Sequence, residues 1–177
     1  MTQHTSKFNP AVLPAEFMKS FEHEDSDEPR HFLYPGQVFV NRDPVTISTI
    51  LGSCAAICLW DRHKKAGGMN HYLLPEGLSE GPNRLRYGNV ANPELLKQVL
   101  ALGCELRNLQ AKIFGGSCAF GNNPLQSMGS RNVQLAENFL HTAGIPVIEK
   151  QVWGKHGRRL VFRILDGVTT IKNFEHV

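Results

Sequence analysis

The chain has 177 residues, of which 41% are hydrophobic, and a formal net charge of +3 at pH 7. This size is typical of one domain with a tail, and no apolar run is long enough to predict a membrane span. No basic stripe alternates with aromatic residues, so the sequence gives little support to nucleic-acid binding. The N-terminus shows no secretory pattern, and we therefore expect a cytoplasmic protein whose four cysteines are reduced thiols.

The first 30 residues differ in charge from the rest of the chain. They contain six acidic and three basic residues, a net charge of −3, which leaves +6 for the remainder. Acidic residues crowd together at 22–28 and repel one another, so we expect residues 1–30 to be a disordered tail, with at most a short helix at 15–21. The domain is then expected at residues 31–177. Its basic balance fits either an ordinary surface or one suited to an acidic partner.

Four β-strands are predicted before residue 75. Segments rich in β-branched and aromatic residues, separated by polar or Gly-rich turns, occur at 37–40, 45–51, 55–60 and 69–74. The last two are expected to form a hairpin. A two-residue loop at Arg62 and His63 would place Cys54 opposite His71, whereas a longer loop or a bulge would change that pairing.

Two helices are predicted in the second half, after a loop at residues 77–90. Asn92, followed by Pro and Glu, is a typical helix start, and the apolar spacing continues to a stop at Gly103. Ser130 is expected to cap a second helix at residues 131–143, which Gly144 ends.

Further strands are expected around these helices. They are predicted at 110–114, 145–153, 159–165 and 168–171, and the segment at 159–165 is expected to pair back on 145–153 as a hairpin. Strands and helices together predict an α/β domain.

Cys54 and His71 are the candidate catalytic residues. Cys54 follows a Gly-Ser pair at the end of an apolar segment, and small residues allow a substrate to approach the sulfur. A thiol with a nearby imidazole is the minimum equipment for nucleophilic chemistry at neutral pH. Taken alone, either residue is more often part of a core. A zinc site with Cys58 and His63 is an alternative, but C-x-x-x-C on a strand suits tetrahedral coordination poorly, so we expect no metal.

The other cysteines are expected to be packing residues. Cys58 would lie about 13 Å along an extended strand from Cys54, beyond the roughly 7 Å between Cα atoms that a disulfide allows. Cys104 and Cys118 receive the same interpretation.

Several segments, in order, resemble one family. L-G-S-C-A-A-I-C-L-W-D and G-G-M-N-H-Y-L-L-P resemble the two signature segments of the chemoreceptor glutamine deamidases (CheD), and I-F-G-G-S and S-R-N-V are similar to later segments of it. The resemblance covers roughly residues 31–165. It implies a mixed or antiparallel β-sandwich-like core flanked by helices, related to deamidating cysteine-hydrolase toxins. It also implies a cofactor-free enzyme that deamidates glutamines on the cytoplasmic helical bundle of chemoreceptors in bacterial chemotaxis, with the phosphatase CheC as a partner in some organisms.

The resemblance also implies roles for individual residues. Cys54 would be the nucleophile and His71 the base. The family has a Thr six residues before the Cys, where this chain has Ser48, with Thr49 next along. Successive strand residues point to opposite faces, so only one hydroxyl can orient His71, and Ser48 is chosen by position. Backbone N–H groups near the nucleophile, at Gly52, Ser53 and Cys54, would hold the oxyanion. Residues of the later segments would shape the pocket wall; these are Gly115, Gly116, Ser117, Arg131 and Asn132.

Two other functions stay open. The chain could be another Cys-His hydrolase, such as a thioesterase or a peptidase, or a non-catalytic adaptor that binds receptors. No G-x-x-x-x-G-K-[ST] segment is present, so the Gly-Gly pair at 115–116 does not predict a nucleotide site. Release of ammonia would separate amide hydrolysis from the alternatives.

Overall fold

The structure is a computed structural model that describes residues 28–118 and 126–174, and in these residues nine strands and two α-helices form the domain. The elements in chain order are β1 (Arg30–Phe32), β2 (Gln37–Asn41), β3 (Thr46–Leu51), β4 (Ala55–Asp61), β5 (Ala66–His71), α1 (Gly88–Ala101), β6 (Leu109–Gly115), α2 (Met128–Ala143), β7 (Val147–Val152), β8 (Arg158–Arg163) and β9 (Thr169–Asn173). Short 3-10 helices occur at Arg84–Arg86 and Leu106–Asn108. Neither α-helix has the length and apolar content needed to cross a membrane.

The strands form two sheets. One has four strands in the order β1-β3-β8-β9, and the other has five in the order β2-β5-β4-β6-β7. β1 runs parallel to β3 and β6 parallel to β7, whereas the other neighbouring strands are antiparallel. The predicted α/β class with mixed strand pairing is confirmed.

Strand β4 is buried on both faces, which explains its nearly continuous apolar sequence. Ala56 and Cys58 contact a cluster with residues of both sheets, including Ile47, Leu51, Phe114, Leu160 and Phe162. Ile57 and Leu59 point the other way and pack against both helices, on Leu95, Val99, Ala136 and Leu140. The prediction of Cys58 as a core residue is confirmed, and Cys104 is buried too. The four cysteines are not joined by disulfides, and Cys118 is only half-buried.

The β4–β5 hairpin has a longer turn than two residues. Asp61 pairs with Ala66, so the turn comprises residues 62–65. The Asp61 carboxylate accepts hydrogen bonds from the backbone N–H groups of His63 and Lys64, at 2.9 and 3.1 Å. Lys65 completes the turn in the left-handed conformation, with φ 50°. Of the two alternatives left open by the sequence, the structure has the longer loop, and Cys54 does not lie directly opposite His71.

Helix α1 begins earlier than predicted, at Gly88. The carbonyl groups of Leu74 and Pro75 accept hydrogen bonds from the first backbone N–H groups of the helix, so no capping side chain is needed there. Asn92 lies inside the helix, where its buried side chain accepts a hydrogen bond from Asn70 at 2.8 Å. A buried polar partner, rather than a cap, explains this Asn.

Helix α2 also begins earlier than predicted. Its cap is Ser127, whose side chain accepts a hydrogen bond from the backbone N–H of Ser130 at 3.1 Å. The predicted end is confirmed, because Gly144 follows the helix with φ 69°, a conformation that glycine adopts without strain.

Strand β8 does not form a hairpin with β7, contrary to the sequence prediction. It pairs with β3 and β9 in the four-stranded sheet, whereas β7 pairs with β6 in the other sheet. The apolar residues Leu160 and Phe162 explain this crossing, because they reach the cluster that both sheets share.

The predicted tail lies almost wholly outside the described residues, as does the short helix at 15–21. Strand β1, which the sequence did not predict, begins at Arg30, one residue before the expected domain start. Just before it, the Glu28 carboxylate accepts a hydrogen bond from Thr46 on β3 at 3.1 Å.

Candidate active site

A hydrogen-bonded chain fixes the imidazole of His71. Its Nδ1 lies 2.8 Å from Thr49 Oγ1, and this hydroxyl donates to the carbonyl oxygen of Leu33 at 2.7 Å. A hydroxyl has a single proton, so Thr49 can only accept the hydrogen bond from Nδ1–H. The neutral ring consequently keeps its proton on Nδ1 and has an unprotonated Nε2.

Thr49, not Ser48, is the residue that contacts His71. Ile47 and Leu51 of β3 pack into the cluster between the sheets, and strand alternation places Thr49 on this same face. Ser48 points the other way, so its assignment as the partner of His71 is corrected. The apolar alternation of Ile47 and Leu51 was the sequence signal that favoured Thr49, whereas position relative to Cys54 favoured its neighbour.

Cys54 and His71 share one face of the β4–β5 hairpin. Ala55 and Tyr72 exchange two backbone hydrogen bonds, at 3.1 and 3.0 Å. This pairing places Cys54 opposite Leu73, one diagonal step from His71, and diagonal neighbours are within about 7–8 Å of each other. Cys54 also packs against the cluster between the sheets, the side on which His71 meets Thr49.

Burial sets the charge of both groups. His71 is 1% exposed, and burial lowers its pKa to about 4, with the Leu33 carbonyl partly opposing the shift. Its Nε2 has no hydrogen-bond partner among the described residues. Burial raises the pKa of the Cys54 thiol, although backbone hydrogen bonds from Gly52 and Cys54 favour the thiolate. A neutral thiol and a neutral imidazole are therefore the resting forms at pH 7.

The predicted Gly-Gly-Ser segment supports the backbone around Cys54. Gly116 and Ser117 donate backbone hydrogen bonds to the carbonyl oxygens of Cys54 and Gly52, at 2.7 and 2.9 Å. Gly115 has φ 106°, and a Cβ atom there would lie 2.2 Å from the Cys54 carbonyl oxygen. Only glycine fits this close approach of two backbones. Ser117 is buried, and its hydroxyl lies 3.8 Å from the position that a Cβ atom on Gly52 would occupy.

Asn132 is a second support of the same loop. Its side-chain amide nitrogen donates hydrogen bonds to the carbonyl oxygens of Ser53 and Leu73, both at 2.9 Å. These carbonyl groups belong to the residue before Cys54 and to the residue opposite it. Arg131, by contrast, is exposed.

The residues of the zinc alternative are not gathered at one point. Cys58 is buried in the cluster between the sheets, and His63 lies in the exposed hairpin turn. Within residues 28–118 and 126–174, no group of three or more His, Cys, Asp or Glu side chains is arranged to hold a metal ion.

Known proteins are similar to this sequence over most of its length. The family model described as "CheD chemotactic sensory transduction" matches residues 73–173. A "Probable chemoreceptor glutamine deamidase CheD" of Rhodospirillum rubrum is 40% identical over 149 residues, which are 83% of this chain and 84% of that protein. A relative from Anaeromyxobacter dehalogenans, named "Probable chemoreceptor glutamine deamidase CheD 1", is 41% identical over 80% of this chain and 82% of its own length. A third relative, the "Probable chemoreceptor glutamine deamidase CheD" of Trichlorobacter lovleyi, is 37% identical over 85% of this chain and 94% of its own length. The family model matches more than half of the residues, and the relatives are 37–41% identical over more than four fifths of their own length, so this chain belongs to the CheD family.

Proposed function

We propose that this protein is a protein-glutamine deamidase, which converts glutamine side chains of chemoreceptors to glutamate and releases ammonia during bacterial chemotaxis. The names of its relatives support the reaction. The main structural observation behind it is the hydrogen bond between Thr49 and His71, which leaves an unprotonated Nε2 on the face that also holds Cys54. A base and a thiol on one face are what a cysteine amidohydrolase requires.

The first half of the reaction makes a thioester. His71 Nε2 takes the proton of the Cys54 thiol, and the sulfur attacks the carbon of the substrate's side-chain amide. Backbone N–H groups near Gly52, Ser53 and Cys54 stabilise the negative oxygen of the tetrahedral intermediate, a contribution of about 3 kcal/mol for one donor. The intermediate then collapses as protonated His71 gives its proton to the nitrogen, which leaves as ammonia.

The second half restores the enzyme. His71 takes a proton from a water molecule, which attacks the thioester carbon, and the bond to sulfur breaks. Glutamate leaves, and the proton returns to Cys54. Burial lowers the pKa of His71, so its imidazolium gives up the proton readily to the leaving nitrogen and to the Cys54 thiolate, whereas the neutral ring is a weak base towards the thiol. Thr49 keeps Nδ1 protonated throughout and so keeps Nε2 in the working form.

The substrate side chain must enter from a folded helix. A glutamine on a helix surface extends its amide away from the backbone, whereas the peptide bonds of the helix are tied in its own hydrogen bonds. Because His71 is buried, a side-chain amide that projects from the helix can reach its imidazole more easily than a peptide bond of the helix can. We place this reaction on the cytoplasmic helical bundle of the receptor.

Two finer parts of the proposal concern the fold and a partner. The core cluster common to both sheets supports a β-sandwich-like packing for the proposed domain at residues 31–177. Its relation to deamidating toxins is proposed from the family resemblance alone. A CheC-type phosphatase is proposed as a binding partner from the family resemblance alone, and titration of the two purified proteins would test it.

The test is incubation with a chemoreceptor signalling fragment. Wild-type protein should convert a few exposed glutamines to glutamate and release one ammonia for each, as peptide mapping and an ammonia assay would show. Cys54→Ala should do neither, while Ser48→Ala, altered on the opposite face of β3, should behave as wild type. Backbone cleavage, or equal conversion by the Cys54 variant, would refute the proposal.

A further inference from the structure

We propose that Asn132 is a positioning residue for this reaction, and that its side-chain amide sets the separation of Cys54 and His71. The inference rests on the proposed function, since it assigns Asn132 a role in that function. The role differs from shaping a pocket wall, because the amide acts through the backbone on both sides of the hairpin and not on the substrate.

The hairpin loses its own hydrogen bonds close to Cys54. Ala55 and Tyr72 form the last backbone pair of β4 and β5. Beyond it the chain turns away, and the backbone N–H groups of Leu73 and Leu74 both donate to the carbonyl oxygen of Arg86, at 2.9 and 3.1 Å. Without a further contact, no hydrogen bond would join the chain before Ala55 to the chain after Tyr72, although the nucleophile lies at this point.

Asn132 bridges the gap between the two segments. One amide nitrogen donates to the Ser53 carbonyl on the side of Cys54 and to the Leu73 carbonyl on the side of His71, both at 2.9 Å. Cys54 is then held between two fixed residues, with Ala55 in the backbone pair and Ser53 on the amide. The bridge takes the place of the next inter-strand hydrogen bond.

The orientation of the amide is determined by its partners. A flipped amide would turn its oxygen towards two carbonyl oxygens and would lose both hydrogen bonds. Asn132 is itself anchored, because the Tyr72 hydroxyl donates to its backbone carbonyl at 2.6 Å. The side chain is fully buried, yet its Oδ1 has no partner among the described residues. A buried acceptor without a partner lowers stability, so the two hydrogen bonds of the nitrogen are the feature that explains this residue.

Small displacements at this point should affect turnover. A shift of about 1 Å between reacting groups can cost about 100-fold in rate. Removal of the bridge leaves Thr49 and His71 unchanged, and Gly116 and Ser117 still hold the carbonyl groups of Cys54 and Gly52. Ser53 and Leu73, however, are no longer tied to each other, so the two sides of the hairpin can shift at the nucleophile. We therefore expect the loss to fall on kcat, with little change in KM, because docking of the receptor does not depend on the bridge.

The experiment compares two near-isosteric variants with a control in the same helix. Asn132→Leu removes both donor hydrogens, and Asn132→Asp replaces the donor with a group that donates only when it is protonated. Ser127→Ala removes the cap of α2 and so destabilises the helix without touching the bridge. Ammonia release from a receptor fragment gives kcat and KM, at a temperature where circular dichroism shows every variant folded.

The expected result is a kcat about 100-fold lower for Asn132→Leu, with KM within about twofold of wild type. Ser127→Ala should keep its kcat although its melting temperature falls. Asn132→Asp should regain part of its kcat, relative to wild type, as the pH is lowered and the buried carboxyl takes up a proton. If Asn132→Leu does not fold, this recovery decides the matter, provided that circular dichroism shows Asn132→Asp folded at every pH used, since regained folding then cannot explain it.

Other outcomes would overturn the inference. A kcat for Asn132→Leu within about threefold of wild type would refute it, as would activity losses in the Asn132 and Ser127 variants that simply follow their melting temperatures. In those cases wild type still releases ammonia, so only the role of Asn132 fails. Absence of ammonia release by wild type would overturn the proposed function itself, and this inference with it.

Discussion

Replacement of Thr49 by Val tests how His71 is prepared for catalysis. Valine keeps the branched shape of threonine but has a methyl group in place of the hydroxyl. The variant removes the acceptor for His71 Nδ1–H and the donor to the Leu33 carbonyl. Packing against the cluster between the sheets should change little, because the two side chains are nearly equal in volume.

The structure allows the size of the effect to be worked out. Two buried polar groups lose their partner, and each unsatisfied group costs about 1–3 kcal/mol. The free energy of unfolding should therefore fall by roughly 2–6 kcal/mol, which most domains, with a typical stability of about 5–15 kcal/mol, survive. The proton of His71 is no longer fixed on Nδ1, so kcat should fall by about 100-fold or more, as for loss of a general base.

Urea unfolding and ammonia release from a receptor fragment measure the two effects. Thr49→Ser keeps the hydroxyl and should retain most of the activity. Ser48→Ala is the matched control, since it removes a hydroxyl from the neighbouring residue on the opposite face of β3. The reasoning is refuted if Thr49→Val keeps a kcat within about threefold of wild type, or if Ser48→Ala is the damaging change.

Three further results are expected. Cys54→Ser should unfold at the same urea concentration as wild type and yet release no ammonia, because a hydroxyl is a far poorer nucleophile than a thiolate at neutral pH; measurable turnover would contradict the nucleophile assignment. Burial lowers the pKa of His71 from 6.5 to about 4. As the pH falls from 6.5 to 4, His71 is therefore protonated in the unfolded chain but stays neutral in the folded chain. The free energy of unfolding should therefore be highest above pH 6.5 and should fall by about 3 kcal/mol as the pH is lowered towards 4. In His71→Gln, urea unfolding should show a smaller fall over the same pH range, and an equal fall would contradict the assignment. Gly115→Ala should lower both stability and activity, since its Cβ would lie 2.2 Å from the Cys54 carbonyl oxygen. Gly144 has φ 69° with open space around it, so Gly144→Ala should lower the free energy of unfolding by about 1–2 kcal/mol and leave turnover intact.

Local patterns predicted the elements of the fold better than their partners. The apolar segments identified β2 to β9, although with shifted ends, because strand sequences reflect burial of the strand itself. Pairing depends on contacts distant in sequence, and for this reason the sequence placed β8 beside β7. Leu160 and Phe162 join the cluster of both sheets, a fact that alternation within β8 does not show. Asn92 shows the same limit, because its buried partner Asn70 is 22 residues away.

The sequence predicted part of the geometry of the candidate site, and the catalytic roles of its residues stay a prediction. Cys54 and His71 were chosen from their neighbours in sequence and from the family resemblance, and the structure places them on one face of the β4–β5 hairpin. The choice between Ser48 and Thr49 depended on which face of β3 meets the other sheet, and the apolar residues at 47 and 51 were the signal for it. The carbonyl of Leu33 could not be found, since a backbone acceptor has no sequence signature. The turn of residues 62–65 depends on two hydrogen bonds to Asp61, which polar composition alone does not reveal.

Interception of the acyl-enzyme is the most direct measurement of the central claim, which is a thioester on Cys54 formed from a receptor glutamine. Hydroxylamine added during turnover competes with water for a thioester and yields a hydroxamate on the same side chain. Mass spectrometry of the receptor fragment should show hydroxamate in place of glutamate at the modified positions with wild-type protein, and neither product with Cys54→Ser. Glutamate formation without any hydroxamate at high hydroxylamine, or hydroxamate formed equally by the Cys54 variant, would contradict the thioester mechanism.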